Sequence, residues 1–93
     1  MLFNERIKQL REDYQMPQRK LAAAMDIDTA SYCKIEKGER RARREHIQII
    51  AELLQANTEE LLTLWLADQV AAVVAEDKEI APKILKIATN NLK

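Results

Sequence analysis

The chain has 93 residues, with fifteen Lys and Arg balancing fifteen Asp and Glu. A chain of this length makes about one small domain, and its one Gly and two Pro leave little material for tight hairpins. Hydrophobic residues are 47% of the chain but aromatic residues only 4%, and the apolar residues are mostly Leu, Ile, Val and Ala. This composition predicts an all-α fold.

Several classes of protein are disfavoured at this stage. The first charged residue is already Glu5, which is not typical of a secretory signal peptide. The longest apolar run, around residues 61–66, is too short to span a membrane. A single cysteine, Cys33, excludes an internal disulfide and a cysteine-based zinc site. These features are expected of a cytoplasmic protein.

Positive charge is concentrated in one segment, although the net charge is zero. Residues 1–54 contain eleven basic and nine acidic side chains, and residues 55–93 contain four and six. Residues 34–44 alone contain six basic and two acidic side chains. The distribution of charge along the chain therefore indicates a local anion-binding surface, which the net charge of the whole chain does not reveal.

The first helix is predicted from the spacing of Phe3, Ile7 and Leu10, which lie on one side of a helix. It should end near Tyr14, with Asn4 or a residue just before it as the cap. The segment "YQMPQ" then interrupts helical structure, because a proline disfavours a helical residue before it.

Two short helices separated by the turn "DID" are predicted next. The second helix has Leu21, Ala22 and Met25 on one side. Asp28 is a suitable N-cap for a third helix from Thr29 to about Lys37. Its inward residues should be Tyr32 and Ile35, with Cys33 as a further candidate. Gly38 should end this helix in the left-handed conformation.

Three further helices are predicted after the basic loop "ERRARR". The fourth has an apolar stripe of Ile47, Ile50, Ala51 and Leu54. The fifth should begin in a capping box of Asn57 and Glu60. Because residues 61–75 are almost all apolar, that helix should be buried on nearly all sides. The sixth has Pro82 in its first turn and an apolar stripe of Ile80, Ile84, Leu85, Ala88 and Leu92.

The segments "IKQLRED", "QRKLAAAMDID", "YCKIEKGERR" and "IIAELLQANTEELL" occur in an order and spacing that resemble a known family. The chain is similar to the Xre, or lambda-repressor-like (Cro/CI-type), helix-turn-helix transcriptional regulators. The resemblance implies a five-helix DNA-binding domain over residues 1–62. An additional C-terminal helical extension over residues 58–93, expected to mediate dimerisation, would complete the chain.

The resemblance also implies roles for individual residues on double-stranded DNA. The third helix would enter the major groove, where the residues facing the bases would be Thr29, Ala30, Ser31 and Lys34. Contacts to backbone phosphates would come from Gln18, Lys37, Arg40, Arg41, Arg43 and Arg44. Arg11 and Glu36 would form a structural ion pair between the first and third helices.

The chain departs from the family pattern at several boundaries. Asp26 replaces the usual glycine of the turn, and Gln55 replaces the glycine before the fifth helix. Pro17 stands where a hydroxyl usually caps the second helix. Ala42 and Arg44 replace a proline and an apolar residue after the basic loop. These changes affect helix boundaries rather than the proposed contact surface.

Simpler interpretations exist for four of these features. The basic loop alone would be consistent with a solvated surface. Cys33 is either a packed side chain or a redox-sensitive thiol influenced by Lys34 and Lys37. His46 has no second ligand at metal-binding spacing, and Trp65 is expected in the core or an interface rather than in a ligand site.

The apolar residues after position 61 exceed what a chain of this size can cover. We therefore expect a homodimer with an interface formed by Leu62, Trp65, Leu66, Val70, Val73 and Val74. The alternative is a monomer whose sixth helix folds back over the fifth.

The sequence thus predicts a sequence-specific DNA-binding transcriptional regulator that acts as a dimer on a palindromic operator, as a repressor or controller protein. The alternative is an antitoxin or protein-interaction module that uses the same fold without reading DNA. No catalytic set, metal site, cofactor or small-molecule ligand is predicted, and no membrane partner.

Overall fold

A computed structural model describes residues 2–93, and all the regular structure in this range is helical. The helices are α1 (Phe3–Asp13), α2 (Gln18–Ala24), α3 (Thr29–Lys37), α4 (Arg44–Leu53), α5 (Thr58–Val73) and α6 (Ala81–Asn91). A single 3-10 turn, Ala75–Asp77, connects α5 to α6. The predicted all-α fold, with five helices followed by an additional one, is confirmed.

Local interactions define both ends of α3. The Asp28 carboxylate accepts a hydrogen bond from the backbone N–H of Ser31 at 2.7 Å, which satisfies one of the free donors of the first turn. Gly38 ends the helix with φ 81°, a backbone conformation that costs glycine little. The predicted extent of the third helix therefore agrees with the observed one.

The predicted caps of α1 and α5 agree with the structure in part. The N-cap of α1 is Leu2, whose backbone N–H donates to Glu5 at 2.9 Å. Asn4 instead donates from its side chain to the Glu36 carbonyl at 3.0 Å. Asn57 does cap α5 by accepting from the Glu60 N–H at 2.9 Å. The Glu60 carboxylate, however, pairs with Arg6 on α1 at 2.9 Å and does not complete a capping box.

Three turns contain a non-glycine residue in the left-handed region. Asp26 has φ 58° and Gln55 has φ 53°, both at positions where the related family has glycine. Gln15, with φ 52°, follows α1 and was not predicted to adopt this conformation. Each residue has a Cβ that disfavours this region, so these turns are held by the surrounding structure.

The core lies among α1 to α5. Its largest fully buried side chains are Ile7, Leu21, Tyr32, Ile47, Ile50, Leu54 and Leu61. Each of the first five helices contributes apolar residues to this cluster, including Phe3 from α1 and Trp65 from α5. The predicted stripe of α4 is buried throughout, because all four of its residues belong to the core.

The second half of α5 and the whole of α6 lie outside this core. Leu66, Val70 and Val73 of α5 are exposed, the last at 79%. Residues of α6 are exposed or half-buried, and none is fully buried. The prediction that α5 is buried on nearly all sides is therefore not met within one chain, and α6 does not close over it.

No helix in residues 2–93 is both long and apolar enough to traverse a lipid bilayer.

Candidate nucleic-acid interface

The third helix has a buried side and an exposed side. Tyr32, Ile35 and Glu36 are buried against the rest of the domain. Thr29, Ala30 and Lys34 are exposed, and Ser31 is half-buried. These are the four residues to which the family resemblance assigns base contacts. They thus occur together on the side of α3 that the rest of the domain leaves uncovered.

Arg11 and Glu36 fix α3 against α1. Arg11 Nε lies 2.6 Å from Glu36 Oε2, and a second guanidinium nitrogen donates to Oε1 at 3.1 Å. The same arginine donates to the Met16 carbonyl at 2.9 Å. The Glu36 side chain is only 3% exposed and that of Arg11 15%, so this is a largely buried, bidentate ion pair.

The protonation of the pair follows from this geometry. Burial acts to raise the pKa of Glu36, but the hydrogen bonds it accepts, from Arg11 above all, hold that pKa below its ordinary value. The hydrogen bond to Glu36 raises the pKa of Arg11. Burial, and then the Glu36 carboxylate beside it, raises the pKa of Tyr32. The buried carboxylate is therefore ionised at neutral pH.

Gln18 begins α2 and is half-buried. Its amide donates to Glu36 Oε1 at 3.2 Å, so it belongs to the same network as the ion pair. The other amide hydrogen can still face outward, because a glutamine amide has two donors. Sequence reasoning assigned Gln18 to phosphate and did not detect its contact with Glu36.

The basic loop after α3 is tied to the recognition side of that helix. Arg40 donates to the Ser31 hydroxyl at 2.9 Å, so a predicted phosphate contact and a predicted base contact are bonded to each other. Lys37 and Arg44 are exposed. Arg43 lies 3.9 Å from Glu45 with both side chains largely exposed, which makes a weak pair.

Trp65 connects this loop to α5. Its indole N–H donates to the Ala42 carbonyl at 2.9 Å, and the guanidinium carbon of Arg41 lies 4.7 Å from the ring centroid. Trp65 is 6% exposed and belongs to the core. Of the two positions that the sequence predicted for Trp65, the core or an interface, the structure shows the core, and little of this side chain is available to a second chain.

Asp28 is an acidic residue on the same exposed surface. The hydrogen bonds from Ser31 lower its pKa, with smaller contributions from Arg40 and Lys34. The carboxylate is thus an ionised helix cap. A negative charge at this position would repel a wrongly placed phosphate or acceptor atom.

Within residues 2–93, neither Cys33 nor His46 belongs to a cluster of metal-ligating side chains. Cys33 is a half-buried free thiol. His46 is 8% exposed, and no group of three or more His, Cys, Asp or Glu in residues 2–93 is arranged to hold a metal ion.

The fold and this surface define the class of protein: a helix-turn-helix domain with an exposed third helix beside a basic loop. Residues 7–61 match the family model described as Helix-turn-helix. Since the match covers more than half of the chain, the protein belongs to this Cro/CI-type, Xre-like helix-turn-helix family of DNA-binding transcription regulators. Comparisons with curated proteins and with solved structures gave no match.

Proposed function

We propose that this protein is a sequence-specific regulator of transcription that binds a palindromic operator as a homodimer. The observation that carries the proposal is the exposed row of Thr29, Ala30 and Lys34 on α3, directly beside the basic loop. A major groove admits one helix, and such a helix reads the edges of the bases.

Each residue of the row has a chemically suitable partner on a base. Lys34 can donate to guanine O6 and N7, which are both acceptors. The methyl groups of Ala30 and Thr29 suit the thymine methyl group. Ser31 can donate or accept, and its bond to Arg40 holds its hydroxyl in place before DNA binds.

The phosphate contacts would come from residues around this row. Lys37, Arg40, Arg41, Arg43 and Arg44 are exposed, and Gln18 lies at the start of α2. Such contacts set the position of α3 in the groove and supply affinity that falls with salt, but they do not read sequence.

The dimer would form through the apolar surface that α5 and α6 leave uncovered. Their exposed residues include Leu66, Val70, Val73 and Leu85. The segments also carry opposite charge: residues 57–79 contain six acidic side chains and one basic, while residues 80–93 contain three lysines and no acidic side chain. Antiparallel association of α6 with the partner's α5 would pair these charges and cover the apolar groove between the two helices.

Two-fold symmetry would place two copies of α3 about 34 Å apart, one helical turn of DNA. Leu62 is half-buried and Val74 is buried, so both would contribute less to this interface than the exposed residues. We infer residues 1–62 as the DNA-binding part and residues 58–93 as the dimerising extension.

The simplest mechanism is steric. A dimer bound to its operator would block or position RNA polymerase, as a repressor or controller protein does. The protein would act in the cytoplasm.

Selection from a random duplex pool tests the proposal. The wild-type protein should enrich a palindrome with half-sites about one helical turn apart. Lys34→Ala should lose the preference at one position in each half-site while keeping overall affinity for DNA. Enrichment of no sequence would contradict sequence-specific regulation.

A second function is favoured by a separate observation. The open apolar groove between α5 and α6, about 990 Å³ in volume, also suits a helix of another protein. The chain would then be an antitoxin or interaction module. This function predicts a monomer in solution and no enrichment in the selection experiment.

A further inference from the structure

A cavity of about 300 Å³ lies between the turn that precedes α3 and the basic loop that follows it. Its polar lining consists of Asp26, Arg40, Arg41, Arg43 and His46. Arg44, the next basic residue along the chain, does not line it. Three of the four loop arginines therefore contribute to the lining of one partly open cavity.

Each of these arginines retains free donors. Arg40 uses one nitrogen for Ser31, and Arg41 offers the face of its guanidinium to Trp65. Arg43 has only the weak contact with Glu45 at 3.9 Å. Since a guanidinium has five N–H donors in a planar fork, the edges of all three groups remain available to an anion.

His46 supplies an independent indication of a ligand. Its side chain is 8% exposed and lines the cavity. Its Nδ1 is buried without a hydrogen-bond partner among residues 2–93. A buried polar atom without a partner is uncommon in native proteins, so this imidazole has hydrogen-bonding capacity that the rest of the protein does not use.

We propose that this cavity binds a single phosphate group, held by Arg40, Arg41 and Arg43 with His46 as an additional donor. A phosphate has several acceptor oxygens that match guanidinium forks. The phosphate is either part of the DNA backbone, in which case the inference rests on the proposed function, or a free phosphate ion or ester. In either case the three arginines share one phosphate rather than each contacting its own.

Asp26 adds one negative charge to the lining of the cavity. Its carboxylate lies in the same lining and opposes anion binding. Three guanidinium groups outnumber it, so the cavity remains attractive to an anion. Asp26→Asn should therefore strengthen phosphate binding, whereas a purely structural role for the turn predicts no effect on it.

The test is a titration of the full chain with inorganic phosphate in the absence of DNA, at constant ionic strength against sodium chloride. Trp65 is the only tryptophan and lies under Arg41, so its fluorescence and its indole N–H resonance should report binding. We expect a saturable change that Arg43→Ala and His46→Gln weaken about tenfold, as loss of a charge-assisted hydrogen bond implies. Arg44→Ala should bind phosphate like wild type.

Circular dichroism would establish that each variant is folded, and Arg43→Ala changes an exposed side chain that makes no cap hydrogen bond at the start of α4. No saturable response, or equal affinity in all variants, would overturn the inference. Phosphate binding without any DNA binding would support the phosphate site and contradict the proposed function.

Competition distinguishes the two sources of phosphate. If a backbone phosphate fills the cavity, inorganic phosphate should displace DNA more strongly than chloride of equal ionic strength, and His46→Gln should weaken DNA binding. If the ligand is a free phosphate, the protein should bind it and DNA together, with DNA affinity unchanged by His46→Gln, and the three arginines would then not be DNA contacts. Both results support the cavity as a phosphate site.

Discussion

The indole N–H of Trp65 donates to the backbone carbonyl of Ala42 at 2.9 Å, which joins α5 to the basic loop. This bond spans 23 positions along the chain. The same indole ring lies beneath Arg41. One residue of the helix that leads to the proposed dimer surface thus supports the loop that is proposed to bind phosphate.

Trp65→Phe should lower the free energy of unfolding by about 1–3 kcal/mol, because it keeps an aromatic ring but leaves the buried Ala42 carbonyl without its donor. Urea unfolding followed by circular dichroism measures this change. Thr63→Val on the exposed side of α5 is a suitable control. Equal stability of Trp65→Phe and wild type would show that the bond does not hold the loop.

Glu36→Gln should destabilise the fold by about 3–5 kcal/mol, because it leaves the largely buried Arg11 guanidinium without its counter-charge. The matched control is Glu45→Gln, which breaks the exposed pair with Arg43 and should have little effect. Urea unfolding of both variants tests the difference. Similar losses in the two variants would contradict a special role for the buried pair.

Acid should destabilise the protein through the same carboxylate. The folded state holds the pKa of Glu36 below the ordinary value of 4.5, so this contribution is present above that pH and disappears as the pH falls through the folded pKa. Stability measured between pH 7 and pH 3 should fall in the wild type and fall less in Glu36→Gln. A pH dependence identical in both would refute this assignment.

Val70→Asp should convert the proposed dimer into a monomer, since it places a charge in an apolar interface. Val70 lines the groove and is exposed within one chain, so the fold of that chain should tolerate the change. Ala72→Asp adds the same charge to the same helix, at an exposed position outside the groove, as the control. Analytical ultracentrifugation of the protein at tens of micromolar measures the oligomeric state. A wild-type protein that sediments as a monomer would contradict the proposed dimer.

The sequence was sufficient for those features that depend on neighbouring residues. Apolar spacing located the helices, and Asp28 and Gly38 defined α3 because capping is a local interaction. The positive φ of Asp26 could be anticipated from the glycine that the related family has there. The exposed side of α3 followed from the burial of its opposite side.

The remaining features join residues that are distant in sequence. Asn4 bonds to the Glu36 carbonyl, and Glu60 pairs with Arg6, so neither acts as the local cap that its position suggested. The convergence of Arg43 and His46 on one cavity depends on how α4 packs near the turn before α3. Periodicity contains no information on such contacts, since it describes one helix at a time.

The measurement that tests the central claim most directly is the salt dependence of DNA binding, on the selected palindrome and on random duplex. If this surface binds DNA phosphates, the affinity of the wild type should fall steeply with salt. Arg44→Ala should reduce the slope by about one and weaken binding to both duplexes, whereas Lys34→Ala should abolish the preference for the palindrome. Absence of binding at low salt, or binding that salt does not weaken, would contradict DNA recognition by this surface.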